Sequence, residues 1–486
     1  MRDPKSIRGV SRRNFIGTIT GAAALTLIGL DRKAVADIEG LPDNVISPNI
    51  ARDFTARICY NENPIGPSPA AAEALIDVAY LSHRYPDWYG ESLVSDLASH
   101  YGLSSSMFTI GSGATEILRM CALAFSSPGG NVIVPNPSYS QFPTDCQLFG
   151  RTVRYVNHDS NHRVDLQGIA NRVDGNTTAI CITNPENPTG TVVDDGELAS
   201  FVQSLDSDIV TIIDEAYLEY ISDSGYTSAI ELLRQGRNVV VVKTFSKVYG
   251  LAGARIGYAV GNSANINAMK NFQYIATVSR PCLEAARAAL GDQAHIAQTV
   301  QLAAQMKSYC FGQFALMGLP YIPSEASFFM VDVGTNADPV RILLAEREIY
   351  VRTGWGMSQH LRVSTGTQHE MERFIYELGD ILARLPQSLE RVPLKSAELF
   401  QATPNPFNSS TAIRIYLPAP EIVRLDIYDV QGRLVRRLCD LPLGIGEHAF
   451  EWNGTDRGGE TVSTGAYFYR LTAGQNVITR KMLLIK

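Results

Sequence analysis

Lys247 stands between an apolar run, Val239–Thr244, and the glycine turn Gly250-Leu251-Ala252-Gly253. A lysine so placed can lose its hydration, which lowers its pKa and makes the amine a nucleophile for a carbonyl. Thr244, Ser246 and Arg255 flank it with two hydroxyls and a guanidinium, a set that suits a phosphate. Upstream, Ile212-Ile213-Asp214-Glu215-Ala216-Tyr217 closes another apolar run with a carboxylate and, three residues on, a phenol. A carboxylate at the end of a buried strand needs a partner, and a protonated heterocyclic nitrogen is one. In Thr183-Asn184-Pro185-Glu186-Asn187-Pro188-Thr189-Gly190, two prolines and a glycine make a rigid turn able to aim the Asn187 amide at a ligand oxygen. Gly111-Ser112-Gly113-Ala114-Thr115-Glu116 leads into a helix at Ile117–Phe125, where backbone N–H groups and the helix dipole favour an anion.

Each motif also has an ordinary reading: Lys247 as a solvated lysine, the proline turn as structural, Gly-Ser-Gly as a loop. Together they offer an amine for a Schiff base, an acid for a pyridinium nitrogen, a phenol and an amide for a ring oxygen, and a phosphate cup. Those are the needs of pyridoxal 5′-phosphate.

These residues must be positioned by regular elements. Short Val-, Ile- and Thr-rich runs recur at Asn131–Pro135, Arg151–Val156, Thr178–Thr183, Ile209–Asp214, Val239–Thr244 and Ile256–Val260. They predict strands of a mostly parallel sheet buried between helices. Residues 68–82 open with Ser68 and Pro69, a helix start, and 91–101, 194–205, 281–309 and 368–386 read as further amphipathic helices. Such an α/β body carries its site in loops beyond the carboxyl ends of its strands.

The 486 residues call for two to four domains. The net charge of −7 is uneven: residues 1–33 carry +5 and 395–486 carry +2, leaving −14 between them. An acidic body repels phosphate backbones, so no nucleic-acid partner is expected. The seven cysteines include no CxxC pair, so no metal site is indicated.

Residues 50–388 resemble the class I/II aminotransferases of fold type I, and most closely the histidinol-phosphate aminotransferase branch. The resemblance is carried by Asn61-Glu62-Asn63-Pro64-Ile65-Gly66-Pro67, Arg84-Tyr85-Pro86-Asp87, the Pro-x-Asn-Pro-Thr-Gly turn, Asp214-Glu215-Ala216-Tyr217 and Ser246-Lys247-x-x-Gly250-Leu251-Ala252-Gly253-x-Arg255. It implies a large α/β domain at about 86–280 and a small one from 50–85 plus 281–388. It implies that Lys247 holds the cofactor as a Schiff base and shuttles the proton, that Asp214 holds the ring nitrogen protonated, and that Asn187 and Tyr217 bond the ring oxygen. Tyr139 would stack on the ring, while Gly113, Ala114, Thr115, Thr244, Ser246 and Arg255 form the phosphate cup. Tyr85 would reach the phosphate of a neighbouring subunit, so a homodimer with shared sites is implied. Arg362 matches the arginine that grips the substrate's carboxylate or phosphate, Arg352 is a second candidate, and Asn61 and Asn63 would line the entrance. The implied reaction passes an amino group from an amino donor to a 2-oxo acid acceptor. A decarboxylase on the same fold and a non-catalytic surface-displayed binding protein are the alternatives. The lead Ile58-Cys59-Tyr60 and the extra charge of Glu186 depart from the branch pattern, and a general or aromatic amino donor is expected rather than histidinol phosphate.

At the N-terminus, Ser11-Arg12-Arg13-Asn14-Phe15-Ile16, an apolar run to Leu30 and Ala34-Val35-Ala36 resemble a twin-arginine signal cleaved after Ala36. At the other end, 389–403 reads as a linker and 404–486 alternates apolar and polar residues in short runs, predicting an immunoglobulin-like β-sandwich of about seven strands. Asn405-Pro406-Phe407-Asn408, Leu425-Asp426-Ile427-Tyr428-Asp429-Val430, Ser463-Thr464-Gly465-Ala466-Tyr467-Phe468-Tyr469 and Lys481-Met482-Leu483-Leu484-Ile485-Lys486 resemble the type A sorting domain of the type IX secretion system, itself similar to a flagellar-hook-cap module. The twin-arginine (Tat) translocase and the type IX machinery are therefore expected partners, with passage through the periplasm to the cell surface or beyond.

Overall fold

The computed structural model describes residues 55–388, 397–417, 421–443, 446–474 and 476–485. The expected signal at 1–36 and residues 389–396 of the expected linker lie outside these.

In chain order the first twelve strands are β1 (Ala56–Arg57), β2 (Phe108–Gly111), β3 (Asn131–Asn136), β4 (Thr152–Asn157), β5 (Thr177–Thr183), β6 (Val210–Asp214), β7 (Val239–Thr244), β8 (Gly257–Gly261), β9 (Tyr321–Ile322), β10 (Phe328–Asp332), β11 (Ile349–Tyr350) and β12 (His360–Ser364). Seven of them form one sheet in the order β2-β8-β7-β6-β5-β3-β4, parallel except for β8, which runs against both neighbours. Every residue of β6, β7 and β8 is buried, which is why these strands read as unbroken apolar runs. Alternate residues serve opposite faces: Val239 and Val241 join one core cluster, Val240 and Val242 the other. The four-residue β2 shows no alternation, and no strand is predicted there from the sequence.

A third cluster of apolar residues gathers around β12-β10-β9, the β1-β11 pair, and the helices Ala337–Glu346 and Gln368–Ser388. The single helix expected at 281–309 is two, Arg280–Gly291 and Gln293–Met317. Asp292 breaks the run and caps the second by accepting from the His295 N–H at 3.1 Å. The helix expected to stop at Pro386 continues to Ser388.

The C-terminal strands are β13 (Glu398–Leu399), β14 (Thr411–Leu417), β15 (Glu421–Tyr428), β16 (Leu434–Leu443), β17 (Gly446–Trp452), β18 (Gly465–Ala473) and β19 (Asn476–Leu484). They make two antiparallel sheets, β13-β14-β17 and β16-β15-β18-β19, that share one core including Ile413, Ile415, Leu425, Trp452 and Tyr469. The stretch expected as a linker contributes here: Glu398–Leu399 pairs with β14, and Ala397, Leu399 and Ala402 enter the core. A two-residue strand is too short to show a period in sequence.

Candidate active site

Strands β5, β6 and β7 end side by side, and their carboxyl ends deliver Thr183, Asp214 and Thr244 to one cavity of about 430 Å³. Of the sixteen residues singled out from sequence, thirteen line it: Asn61, Ala114, Thr115, Tyr139, Asn187, Asp214, Tyr217, Thr244, Ser246, Lys247, Arg255, Arg352 and Arg362.

Lys247 donates from Nζ to the Tyr60 carbonyl at 3.1 Å and lies 5.5 Å from the centre of the Tyr217 ring. Burial pulls its pKa down to about 8, helped by the charge of Arg362 and opposed by Glu62 and Asp214. About a tenth of the amine is therefore neutral at pH 7, far more than for an ordinary lysine. Asp214 is buried at the end of β6; burial pushes its pKa up to about 7, against the bond its Oδ1 accepts from the Ala216 N–H at 3.1 Å. Among the described residues that carboxyl makes no salt bridge, and the charge of Lys247 only partly offsets its burial.

Hydrogen bonding settles what the neighbouring side chains present. Arg362 donates to Asn187 Oδ1 at 2.6 Å and to the Cys59 carbonyl at 2.9 Å, so the Asn187 amide keeps its NH2 for the cavity. Asn61 donates to the Tyr217 hydroxyl at 3.0 Å, which leaves the phenolic hydrogen to be given away. Burial raises that phenol to about 12, so it is a donor throughout the physiological range.

Arg255, which also lines the cavity, donates to Ser246 Oγ at 3.3 Å and to the Ala252 carbonyl at 3.0 Å. Its guanidinium lies against the start of the helix Gly113–Phe125, so closely that a Cβ at Gly113 would sit 2.4 Å from its NH2. Gly113 also has φ +75°, a conformation that favours glycine. It shapes the cup without lining it.

Residues 56–378 match the sequence family described as aminotransferase class I and II, and residues 403–476 match the FlgD Ig-like domain. A histidinol-phosphate aminotransferase of Moorella thermoacetica is 33% identical over 360 residues, 72% of this chain and 93% of that one. Histidinol-phosphate aminotransferase 2 of Pseudomonas aeruginosa is 33% identical over 352 residues, 71% and 95% of the two chains. The crystal structure of the Sinorhizobium meliloti histidinol-phosphate aminotransferase in complex with pyridoxal-5′-phosphate superposes with a TM-score of 0.63 at 27% identity, covering 74% of this chain and all of that one.

The chain belongs to the class I and II aminotransferases.

This aminotransferase is of the pyridoxal-phosphate-dependent fold type I, and the donor set fits that cofactor. A helix N-terminus, a guanidinium and hydroxyls line the cavity together with a buried carboxyl whose pKa is raised and a lysine whose pKa is lowered.

Two residues expected near the site of the aminotransferase lie elsewhere. Asn63, expected at the entrance, is buried and donates to the Val248 carbonyl at 3.0 Å and Thr299 Oγ1 at 3.1 Å, tying its segment to the helix Gln293–Met317. Tyr85 lies outside the cavity of its own chain and is 84% exposed. Conversely, sequence reasoning passed over Trp355, whose ring lines the cavity with the Arg352 guanidinium 5.3 Å and the Arg362 guanidinium 4.8 Å from its centre. Trp355 sits between two glycines at φ +59°, rare for a bulky residue, and the Gly-Trp-Gly triplet was the available signal.

Proposed function

We propose that this aminotransferase moves an amino group from an amino acid to a 2-oxo acid, with a general or aromatic amino donor rather than histidinol phosphate. The observation that carries the reading is the convergence of Lys247, Asp214, Asn187, Tyr217 and Arg255 on one cavity that also holds Arg352 and Arg362. When bound, pyridoxal phosphate supplies a carbonyl for the amine and a ring that accepts electron density from the substrate's Cα. Lys247 would hold the cofactor through Nζ and, with its amine free, would serve as the base that takes the substrate's Cα proton and hands it on. Asp214 would keep a proton on the ring nitrogen. Asn187 and Tyr217 would donate to the ring oxygen, and Tyr139 would stack on the ring. Ser246, Thr244, Thr115, Arg255 and the backbone at Ala114 would hold the phosphate. Arg362 grips the substrate carboxylate, with Arg352 beside it and Asn61 at the entrance.

The same reading includes a homodimer in which Tyr85 serves the partner's phosphate cup. Support comes from exposed aromatic residues near it in sequence, Tyr80, Trp88 and Tyr89, and from Phe272 and Tyr274 on a segment tied back by the Ala276 N–H to the Trp88 carbonyl. We place the division between aminotransferase body and sandwich ahead of Ala397, since Ala397, Leu399 and Ala402 belong to the sandwich core. The chain would fold and load its cofactor in the cytoplasm, leave through the twin-arginine route, and use its last domain as a sorting signal.

The test is the purified protein against a panel of amino donors and 2-oxo acids, beside Lys247→Ala. Amino-to-keto exchange with visible cofactor absorbance that Lys247→Ala abolishes is the expected result. Colour without exchange overturns transamination in favour of decarboxylation, and no colour in the wild-type protein overturns the site. Export that persists after Arg12 and Arg13 are both changed to Lys overturns the route.

A further inference from the structure

Glu186, read from sequence as an extra charge in its turn, is buried with no solvent-exposed surface. One of its oxygens, Oε1, accepts from Ser138 Oγ at 2.8 Å and from the Asn187 N–H at 2.8 Å. The other, Oε2, faces His158 Nε2 at 3.7 Å, and that imidazole is itself buried. Neither Oε2 nor either His158 ring nitrogen has a hydrogen-bond partner among the described residues. Ser138 follows β3, His158 follows β4, and Glu186 follows β5, so one carboxyl draws together the ends of three neighbouring strands. Ser138 immediately precedes Tyr139, and the N–H that Glu186 fixes belongs to Asn187 itself.

A group this buried is retained at a desolvation penalty, which its bonds and the imidazole must offset. Burial does push its carboxyl up, with His158, Ser138 and the Asn187 N–H acting the other way. The titratable groups that face it are His158, Asp214 at the end of β6, and Cys181 of β5.

We propose that Glu186, backed by His158, is a positioning residue that locks the Tyr139 loop to the Asn187 turn and so sets the face and the ring-oxygen donor of the cofactor site. The inference builds on the roles given above to Tyr139 and Asn187. Glu186 touches neither cofactor nor substrate; it acts through the two residues that do.

The experiment uses the full-length holoprotein and two readouts: the pyridoxal phosphate dissociation constant, by equilibrium dialysis, and the pH midpoint of the visible absorbance of the bound cofactor. Glu186→Ala should weaken cofactor binding about tenfold or more, the size of one or two lost charge-assisted bonds. It should also move the pH midpoint by about half a unit or more, because a displaced Asn187 changes what the ring oxygen feels. Glu186→Gln, whose amide oxygen can still accept from Ser138 and Asn187, should restore most of the binding. Should Glu186→Ala fail to fold, Ser138→Ala removes one of the two tethers and should shift both readouts in the same direction by less. Wild-type values for binding and midpoint in Glu186→Ala, or in Ser138→Ala where the former does not fold, overturn the proposal. Loss of thermal stability with an unmoved midpoint also overturns it, since that is a purely structural role. Lys247→Ala in the same series keeps the two readings apart. If that variant retains the absorbance, the site assignment fails; if it loses it while the Glu186 series stays unmoved, only the positioning role fails.

Discussion

Lys247 and Asp214 have pKa values displaced towards neutrality from opposite sides, and each displacement has a measurable consequence. Only the neutral amine attacks a carbonyl, so below a pKa of about 8 the rate of cofactor attachment to apo-protein should rise about tenfold per pH unit and then level off. Stopped-flow absorbance after mixing with pyridoxal phosphate reads this directly. Asp214 is protonated in the folded apo-protein up to about pH 7 but only to its ordinary 3.8 when unfolded. The folded state therefore binds the extra proton, and stability is lost as pH rises from about 4 through 7. Above pH 7 the apo-protein of Asp214→Asn should be more stable than the wild type by roughly 2–4 kcal/mol, although it binds the cofactor poorly. Denaturant melts of both apo-proteins at pH 5 and pH 8 check the sign, because the advantage should shrink at the lower pH. The position of Asp214 at a strand end was legible in sequence; the depth of its burial was not, since that depends on what the fold brings near.

At the scale of elements, the loop after β7 is held down by close backbone contact. A Cβ at Gly250, where φ is +69°, would sit 1.9 Å from the Gly66 carbonyl oxygen. Gly250→Ala should cost roughly 2 kcal/mol or more, from the left-handed backbone and the clash together. Gly253→Ala, with open space at its Cβ, should stay within about 0.5 kcal/mol of wild type. Thermal melts of the two variants make the comparison. The ends of β6 and β7 are joined underneath by Lys243, whose Nζ lies 3.4 Å from Glu215 Oε2 and 3.1 Å from Glu219 Oε1. Burial opposes the charge on Lys243, but Glu219, Tyr101 and Glu215 raise its pKa well above the ordinary value. Lys243→Met leaves those carboxylates without their cation and should destabilise the protein by about 3–5 kcal/mol, measured by denaturant unfolding. The apolar run of β7 marks a strand in sequence, yet it hides this lysine's role because both partners come from the segment after β6.

On the scale of the whole molecule, the C-terminal sheets build a core of their own, with Trp452 and Tyr469 fully buried inside it. A chain ending at residue 388 should therefore keep the visible absorbance and transamination rate of the full chain within about twofold. Failure to bind cofactor would mean that the body depends on the sandwich. If the proposed homodimer holds, Tyr85→Phe in the full chain should weaken pyridoxal phosphate binding while leaving the sedimentation coefficient unchanged.

Sequence alone determined the chemistry on offer and most of its carriers, because those signals are local. A lysine before a glycine turn, an acid closing an apolar strand and a helix starting at Gly-Ser-Gly are each written within a few neighbouring residues. It also determined the main strands, since fully buried parallel strands must be continuously apolar. Tertiary structure alone decided which of these residues meet. It used Asn63 to tie a segment to a distant helix, left Tyr85 outside its own chain's cavity, and drew Trp355 between two arginines. It also buried Glu186, read from sequence only as an extra charge in its turn, among three strand ends. Burial and partnership are properties of what folds onto a residue from far along the chain, and no local pattern records them.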